Sequence, residues 1–416
     1  MSFFLILLFF LTWRTVDNWI LYIAEKIIPY LGFFPYPREL FDFGLPQVTS
    51  ALANFDGIHY LKIASRGYAE WEQAFFPLYP LLIRVFNFIF QNELITGLIV
   101  SNVSFFIGLF FLYRYFRHSG KAEGRIQNQN NDSGQARMTF KWLILFILVF
   151  PTSFFFGAVY TEGLFFLLFV LTLYFLKKEN YLLVSLFSIL ASLTRLIGVF
   201  LVIPILFHLI QKSKVLPAGR RGKSQNYNLK LKSLIIITPL LGLGLYCFYL
   251  WMTTGDPLFF LTSQPVFGAN RSTNIILLPQ VIWRYLKIFF TAAHNFQFYV
   301  SLFEFLVFIL VFIVLIFDLF KHLKFNLPAG RQGENFKLKI ENYDRLGLSL
   351  FSLANILLPT LTGTFSSVPR YALFSISFFL FLAEIKNKWI KIGIALIFLL
   401  LHIAVLGFFG QGYFVS

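Results

Sequence analysis

The densest group of chemically capable side chains lies in FDGIHYLKIASRGY, residues 55–68, and is followed by AFFPLYPLLIR. This segment carries one carboxylate, one histidine, two tyrosines and two cations. A carboxylate in a low-dielectric cleft can act as a general base that takes a proton from a hydroxyl group. Asp56 is therefore the candidate catalytic residue. The alternative is that Asp56 only caps a helix that begins near Gly57.

The composition shows what must position these groups. Of the 416 residues, 58% are hydrophobic, 20% are aromatic and only 13% are charged, and the mean hydropathy is +0.72. Soluble domains are about a quarter charged, so a soluble protein is close to excluded. Apolar runs recur along the whole length, which predicts an all-α polytopic membrane protein that forms a single domain, residues 1–416.

Eleven apolar runs approach the length of about 20 residues that a helix needs to cross a bilayer. The first continues too far and lacks the basic start of a signal peptide, so we expect it to be retained. The predicted spans are residues 4–30, 95–115, 140–157, 162–176, 181–194, 196–210, 233–252, 298–320, 346–361, 371–385 and 389–408.

The basic residues predict the orientation of these spans. Most of the 35 Lys and Arg lie in every second loop when the N-terminus is cytoplasmic, as the positive-inside rule requires. Residues 31–94 then form an outer loop with an interfacial helix. Residues 116–139, 211–232 and 321–345 form cytoplasmic loops.

Three further features of the sequence need an interpretation. Residues 75–91 and 279–296 mix aromatic side chains with Pro, Arg or Lys, which is typical of helices lying in the outer interface. Arg14 and Asp17 lie inside the first span. A transporter would use such a pair near the midplane, but we favour an ion pair that faces the bundle interior.

Some function classes have no support in the sequence. The net charge of +16 is spread over short loops, which argues against nucleic acid as a partner. No Asp-x-Asp occurs, and six histidines and one cysteine are scattered without the spacing of a metal site. The sequence therefore implies no metal and no cofactor.

The segment FDGIHYLKIASRGY followed by FFPLYPLL resembles the signature of the mannosyltransferase family that includes phosphatidylinositol glycan class V, the enzyme that adds the second mannose of GPI anchors, and its bacterial relatives. One departure is Phe55, where a tryptophan is expected. Further matches follow in chain order over most of the sequence: PTSFFFGAVYTEGLFF at 151–166, ASLTRLIGVFL at 191–201, TGDPLFF at 254–260 and SSVPRYALFSISFFLFLA at 366–383.

The resemblance implies a GT-C type fold, a bundle of membrane helices with catalytic loops on the outer face. Together with the apolar runs counted above, this predicts about eleven membrane helices plus outer interfacial helices. It also implies a polyprenyl- or dolichyl-phosphate-linked hexose donor, usually mannose. Such a donor stays anchored in the bilayer while its sugar projects into the outer loops. The acceptor, a glycan, a lipid or a protein, is left open, and membrane lipids are the other expected partners.

Within this resemblance, Asp56 becomes the base of an inverting transfer, because one base must deprotonate the acceptor hydroxyl as it attacks the anomeric carbon. His59 and Tyr60 follow on or near the same helix face. Either residue orients Asp56 or binds sugar hydroxyls, and for His59 a packing role is nearly as well supported.

Glu162 stands at the outer end of the fourth span, either as an interface residue or as a second acidic group that binds acceptor or sugar. Arg195 lies at a tight outer reversal, where an unpaired cation is costly. It either pairs with Glu162 or grips the donor phosphate. Arg370 makes a parallel case for the departing phosphate, and Tyr371 beside it is a further candidate substrate-binding residue.

Two other function classes compete with the enzyme. A transporter or flippase of lipid-linked sugars predicts inverted repeats, broken helices and a polar cluster at the midplane. The sequence offers only Arg14 and Asp17 for the last of these. A non-catalytic scaffold would leave the polar outer segments without a purpose.

Overall fold

A computed structural model describes residues 3–31, 37–122, 129–215, 234–267, 272–326, 337–340 and 342–415. In these residues the chain is helical almost throughout. The helices of its first half are α1 (Phe3–Ile27), α2 (Pro37–Phe41), α3 (Gln47–Ser50), α4 (Asp56–Arg66), α5 (Leu78–Phe90), α6 (Glu93–Ala122), α7 (Gln129–Val149), α8 (Glu162–Lys177) and α9 (Tyr181–Thr194).

The second half continues in the same way, with one short ladder of two strands. Its helices are α10 (Val202–Val215), α11 (Thr238–Thr254), α12 (Phe259–Thr262), α13 (Leu278–Thr291), α14 (Phe296–His322), α15 (Tyr343–Thr360), α16 (Val368–Ala372), α17 (Ile376–Glu384) and α18 (Lys388–Gly410). Strands β1 (Leu323–Asn326) and β2 (Lys337–Ile340) pair antiparallel, with Leu323 opposite Ile340.

Short 3₁₀ helices complete the described secondary structure at Ala51–Ala53, Glu72–Ala74, Ser153–Phe156, Leu196–Leu201, Leu234–Ile237 and Gln264–Phe267. The prediction of an all-α membrane protein is confirmed in this coarse form. The two four-residue strands are the only β-structure in the described part of the chain.

Six helical segments of the described chain are long and apolar enough to cross a membrane. Each coincides with a predicted span, and together they make the chain an integral membrane protein. The six are Phe3–Ile27, Glu93–Phe116, Leu196–Ser213, Leu234–Thr254, Phe296–His322 and Lys388–Gly410. The predicted count of eleven is not confirmed by this criterion, because the other predicted spans are shorter or less apolar helices.

Helix α8 shows why a short helix can still belong to the centre of the bundle. Thirteen of its sixteen residues are buried, and it packs against α6 and α9. Gly163 permits this approach, since a Cβ there would lie 2.4 Å from the carbonyl oxygen of Ser101 and 2.5 Å from that of Phe156. Neighbouring helices rather than lipid therefore surround α8.

The predicted span 140–157 is not one helix. Helix α7 ends at Val149 because Pro151 offers no backbone N–H and disfavours helical geometry at Phe150 before it. The chain then forms the 3₁₀ turn Ser153–Phe156 and runs to the start of α8. This irregular segment, residues 151–161, is buried throughout and reaches the site described below.

The two segments predicted as interfacial helices are indeed helical, as α5 and α13. Helix α5 buries Tyr79 and Ile83 on one face and exposes Val85 and Phe88 on the other. Their depth in a membrane stays a prediction. The predicted cytoplasmic loops lie partly outside the described residues; their described parts are ends of helices and the two short strands.

Candidate active site

Asp56 occupies the first position of α4, and the residue before it is strained. Phe55 has φ 59° and ψ −114°, a backbone conformation that side chains disfavour by about 1–3 kcal/mol. Its ring is held by Phe409 and Phe414, at centroid distances of 5.6 and 5.3 Å. The N-cap position of this helix is Phe55, which makes no side-chain capping bond, and Asp56 stands one position later, in the first turn.

The start of α4 is fastened to the irregular segment before α8. The Val159 N–H donates to the carbonyl of Leu52 at 2.9 Å, and the Tyr160 hydroxyl donates to the carbonyl of Asn54 at 2.7 Å. Gly57 lies against this segment, where an added Cβ would stand 3.3 Å from the Val159 carbonyl oxygen. These contacts fix the position of Asp56 relative to Glu162.

Arg370 joins the two acids. It lies in the short helix α16, which follows Ser367, another residue with a left-handed backbone (φ 68°). Its Nη1 donates to Oδ2 of Asp56 at 2.8 Å, and its Nε donates to Oε1 of Glu162 at 3.1 Å. The guanidinium carbon also lies 4.8 Å from the ring centres of both Phe155 and Tyr160.

Arg195 completes the group from the end of α9. It donates to Oε1 of Glu162 and to the hydroxyl of Thr161, so of the two roles predicted for it the pairing with Glu162 is present. The ring centre of Tyr371 lies 5.0 Å from its guanidinium carbon. We call Asp56, Glu162, Arg195 and Arg370 the Arg370 cluster.

The Arg370 cluster alternates in charge and is buried except at one end. Burial lowers the pKa of Arg370, but the charges of Glu162 and Asp56 outweigh it and raise that pKa well above its usual value. The side chain of Asp56 is 28% exposed, whereas that of Glu162 is fully buried. Asp56 is thus the member of the cluster that a hydroxyl group can approach from outside.

Only one of the two carboxylate oxygens of Glu162 accepts hydrogen bonds in the described structure. Its Oε1 accepts from both arginines, while its Oε2 is buried without a hydrogen-bond partner in the described structure. An unsatisfied buried oxygen carries a free-energy cost of about 1–3 kcal/mol, which marks the position for explanation. The predicted substrate-binding role of Glu162 stays a prediction.

His59 is turned toward a different acid. Its Nδ1 lies 3.4 Å from Oε1 of Glu72, and its ring stacks on Phe75 at 5.1 Å. Burial alone would raise the pKa of Glu72, but hydrogen bonds from His59, from Arg66 and from the Ala69 N–H lower it to about 2. The structure thus places the His59 ring beside Glu72 and Phe75, and its predicted role in orienting Asp56 or binding sugar stays a prediction.

Tyr60 lies behind the Arg370 cluster. It is 5% exposed and packs edge-on against Phe75, Tyr79 and Tyr160. Burial, reinforced by the charge of Asp56, raises the pKa of its hydroxyl well above the usual value. Tyr60 is placed to support the cluster rather than to face outside.

Three residues next to the cluster were not predicted as site residues, although the segment that contains them was. Phe155 and Tyr160 lie against Arg370, and Thr161 accepts from Arg195. All three belong to PTSFFFGAVYTEG, in which only Glu162 was singled out. The density of aromatic and hydroxyl side chains between a proline and a glutamate was the available signal.

The predicted ion pair inside the first span is confirmed. Arg14 Nη1 donates to Oδ2 of Asp17 at 2.9 Å, and His402 on α18 lies 2.8 Å from the other oxygen of the same carboxylate. Asp17 is fully buried. The pair therefore faces the bundle interior, as expected.

Among the described residues no three His, Cys, Asp or Glu side chains form a group that could hold a metal ion.

Comparison with known proteins gives one match. Residues 44–241 match the family described as Mannosyltransferase (PIG-V), a range just under half of the chain. This range contains Asp56, Glu162 and Arg195 and ends before Arg370. No curated protein and no solved structure matches the chain. The family match confirms the resemblance that the sequence motifs had indicated.

Proposed function

We propose a specific reaction for this chain, which is a PIG-V-like mannosyltransferase and therefore a hexosyltransferase embedded in a membrane. It transfers a hexose, with mannose as the expected sugar, from a polyprenyl- or dolichyl-phosphate-linked donor. The acceptor is a glycan, a lipid or a protein on the extracytoplasmic side. The anomeric configuration inverts in a single displacement.

The observation that carries the proposal is the placement of Asp56. It is the exposed end of a chain of alternating charges whose other members are buried. A base for glycosyl transfer must be open to the acceptor and fixed in direction, and Arg370 fixes this carboxylate by a bond of 2.8 Å.

In the reaction the acceptor hydroxyl oxygen attacks the anomeric carbon on the face opposite the phosphate. Its proton passes to Asp56, and the bond between the anomeric carbon and the phosphate oxygen breaks. The electron pair of that bond leaves with the lipid phosphate. The product is the glycosylated acceptor with inverted configuration, as in a displacement that uses one carboxylate as base.

Arg370 couples the base, Asp56, to the departing phosphate in this displacement. While Asp56 is a carboxylate, it balances part of the charge on Arg370. Once Asp56 has taken the proton, that balance is lost, just as negative charge develops on the departing phosphate. We infer that Arg370, supported by Arg195, stabilises the leaving group at this moment. Glu162 holds the two arginines side by side.

The side of the membrane rests on the distribution of basic residues. With the N-terminus in the cytoplasm, the outer catalytic segment 31–94 and the turn before α8 lie on the extracytoplasmic face. A lipid-phosphate donor presents its sugar at the same interface. In a prokaryote this is the cell membrane, and in a eukaryote it is the ER membrane.

The test is transfer by the purified protein in liposomes that contain polyprenyl-phosphate mannose, with a panel of glycan, lipid and protein acceptors and product detection by mass spectrometry. We expect transfer by the wild type and none by Asp56→Asn. The matched control is Asp42→Asn, a change of the same kind at an exposed position in the same segment.

Three results would contradict the proposal. Full activity of Asp56→Asn, in a protein that melts like the wild type, removes Asp56 from the mechanism. Movement of the intact donor across the bilayer without any transfer product favours the flippase alternative instead. Retention of configuration, read by NMR of the product, would contradict the single displacement.

A further inference from the structure

A cavity of about 310 Å³ lies beside the candidate active site, between α4, α5, α9 and α11. It is not part of the Arg370 cluster. Its wall consists mainly of aliphatic, proline and tyrosine side chains, among them Ile63, Pro77, Leu81, Leu193 and Leu245.

Three of the polar side chains on this wall donate hydrogen bonds to the backbone. The Tyr68 hydroxyl donates to the carbonyl of Phe75 at 2.7 Å, and the Tyr246 hydroxyl donates to that of Gln73 at 2.7 Å. Arg84, also on the wall, donates to the carbonyls of Ile63 and Ala64 at the end of α4. The surface left for an occupant is therefore mainly hydrocarbon, and a charged or sugar ligand would lose most of its hydrogen bonds there.

The cavity reaches the exposed surface of α11, which belongs to a segment long and apolar enough to cross a membrane. Leu245 on α11 is 57% exposed and lines the cavity, while Leu241 one turn earlier is 51% exposed and does not. Tyr249 and Trp251 near the end of α11 are exposed as well. Tyrosine and tryptophan gather where hydrocarbon meets lipid headgroups, which would place the cavity at the depth where a lipid phosphate gives way to its chain.

Two residues of the cavity wall are close along the chain to members of the Arg370 cluster. Leu193 is two residues before Arg195, a separation of at most about 7 Å along the chain. Ile63 is seven residues after Asp56 on the same helix, which corresponds to about 10 Å along its axis. A lipid chain in the cavity would thus place its phosphate within reach of the two arginines.

The volume of the cavity indicates how much of the donor's lipid chain it can hold. An apolar cavity of about 150 Å³ admits a molecule of the size of benzene, so 310 Å³ holds roughly two five-carbon units. We propose that this cavity binds the isoprenoid units next to the phosphate of the donor. The proposal rests on the proposed function and adds to it the site that recognises the lipid carrier.

The test compares two donors on two variants. One donor is a long polyprenyl-phosphate mannose, and the other carries a methyl group in place of the chain. Leu245→Trp fills the cavity, and Leu241→Trp places the same side chain one turn away on the same exposed face. For Leu245→Trp we expect the preference for the long donor, measured as the ratio of the two kcat/KM values, to fall at least tenfold. For Leu241→Trp we expect no change.

The outcomes separate this proposal from the proposed function. If the wild type transfers mannose from neither donor, the proposed function is wrong. If the wild type transfers and both variants keep its chain preference, the cavity does not bind the chain. Should Leu245→Trp fail to fold, Leu81→Trp fills the cavity from its opposite wall on α5 and must give the same loss. A photoreactive group at position 245 that labels only bulk phospholipid at saturating donor would also overturn the proposal.

Discussion

Two clusters in this protein share one motif, an arginine held between two acids, but they differ in how completely their groups are satisfied. In the Arg370 cluster the acids are Asp56 and Glu162. In a second cluster, the Arg345 cluster, the acids are Asp318 and Glu384. Arg345 holds Asp318 by two bonds, from Nε at 3.2 Å and Nη2 at 2.9 Å, and Ser349 donates to the same carboxylate.

The backbone around the two clusters differs in the same sense. The Arg370 cluster has a left-handed residue before Asp56 and another three positions before Arg370, at Phe55 and Ser367. In the described chain neither Asp318 nor Arg345 has such a backbone. The Arg345 cluster joins three helices, α14, α15 and α17, whereas the Arg370 cluster joins the ends of α4, α8 and α9 to the five-residue helix α16.

The difference indicates where the protein uses its charges for chemistry. When the charged groups of an ion pair are hydrogen-bonded to one another, none of them is free to bind a substrate. Such a pair affects stability and helix register instead. Strained backbone and an unpartnered Glu162 oxygen are costs that packing alone does not require. The same motif therefore serves structure in one place and, by our proposal, catalysis in the other.

The largest expected effect is that of Arg370→Lys. A lysine keeps the charge but offers one point instead of a planar fork, so it cannot hold Asp56 and Glu162 together. We expect kcat/KM for the donor to fall by about 10²–10³-fold, the usual loss when one group that stabilises developing charge is removed. Saturation curves for donor and acceptor, measured separately, check this, and the donor should be affected more.

The same substitution at Arg345 is the matched control for this comparison. Arg345→Lys should leave transfer per folded molecule unchanged and lower only the melting temperature. If both lysine variants lose activity alike, the two clusters do not differ in the way proposed. If Arg370→Lys affects acceptor use more than donor use, Arg370 does not serve the phosphate.

The next effect is on stability. Arg345→Ala leaves the buried Asp318 without its main partner, and breaking a buried pair in this way destabilises by about 3–5 kcal/mol. Unfolding of the purified protein in mixed detergent micelles measures this loss. Activity per folded molecule should stay at the wild-type level. A stable Arg345→Ala protein that has lost transfer would instead give the Arg345 cluster a part in the reaction.

The sequence was sufficient for the parts of this molecule that depend on local pattern. The predicted span 181–194 coincides with α9, Tyr181–Thr194, and 162–176 differs from α8 by one residue. Continuous apolar runs bounded by polar residues leave little freedom to a helix. Pro151 was the available sign that the span 140–157 would break, and a count based only on apolar length passed over it.

The candidate site was predictable as a set of residues but not as an arrangement. Asp56 and Arg370 are 314 residues apart, and nothing local to either one specifies the other as its partner. His59 lies three residues after Asp56, yet its Nδ1 lies beside Oε1 of Glu72, because the chain turns back between Arg66 and Glu72. Neighbours in sequence were the natural guess, and tertiary packing decided otherwise.

Glu72 allows the comparison to be extended to an acid on the same segment as Asp56. It is satisfied by Arg66, His59 and the Ala69 N–H, so by the argument above it is structural. Its pKa is lowered from 4.5 to about 2, so its contribution to stability is fully present above pH 4.5 and is lost as the pH falls toward 2. Glu72→Gln should cost roughly 1–3 kcal/mol at pH 7.

The pH dependence is the sharper part of this test. Thermal unfolding of wild type and Glu72→Gln should differ most at neutral pH, and the two curves should converge between pH 4.5 and 2. Glu70→Gln, at an exposed position two residues earlier, should match the wild type throughout. A gap that persists at low pH would mean that the ionised carboxylate is not what stabilises the segment.

The smallest effect tests whether the position of Asp56 matters as much as its charge. In Gly57→Ala the new methyl group meets the Val159 carbonyl oxygen and the Ala53 Cβ, both at 3.3 Å, so the start of α4 must move by a few tenths of an ångström. Because misplacement of a catalytic group by 1 Å can cost about 10²-fold, we expect kcat to fall roughly three- to tenfold. Gly244→Ala is the control, since a methyl group there meets nothing within 4 Å. If the two alanine variants are equally active, the tight packing under Asp56 does not position it for transfer, and the contrast between the clusters would rest on charge alone.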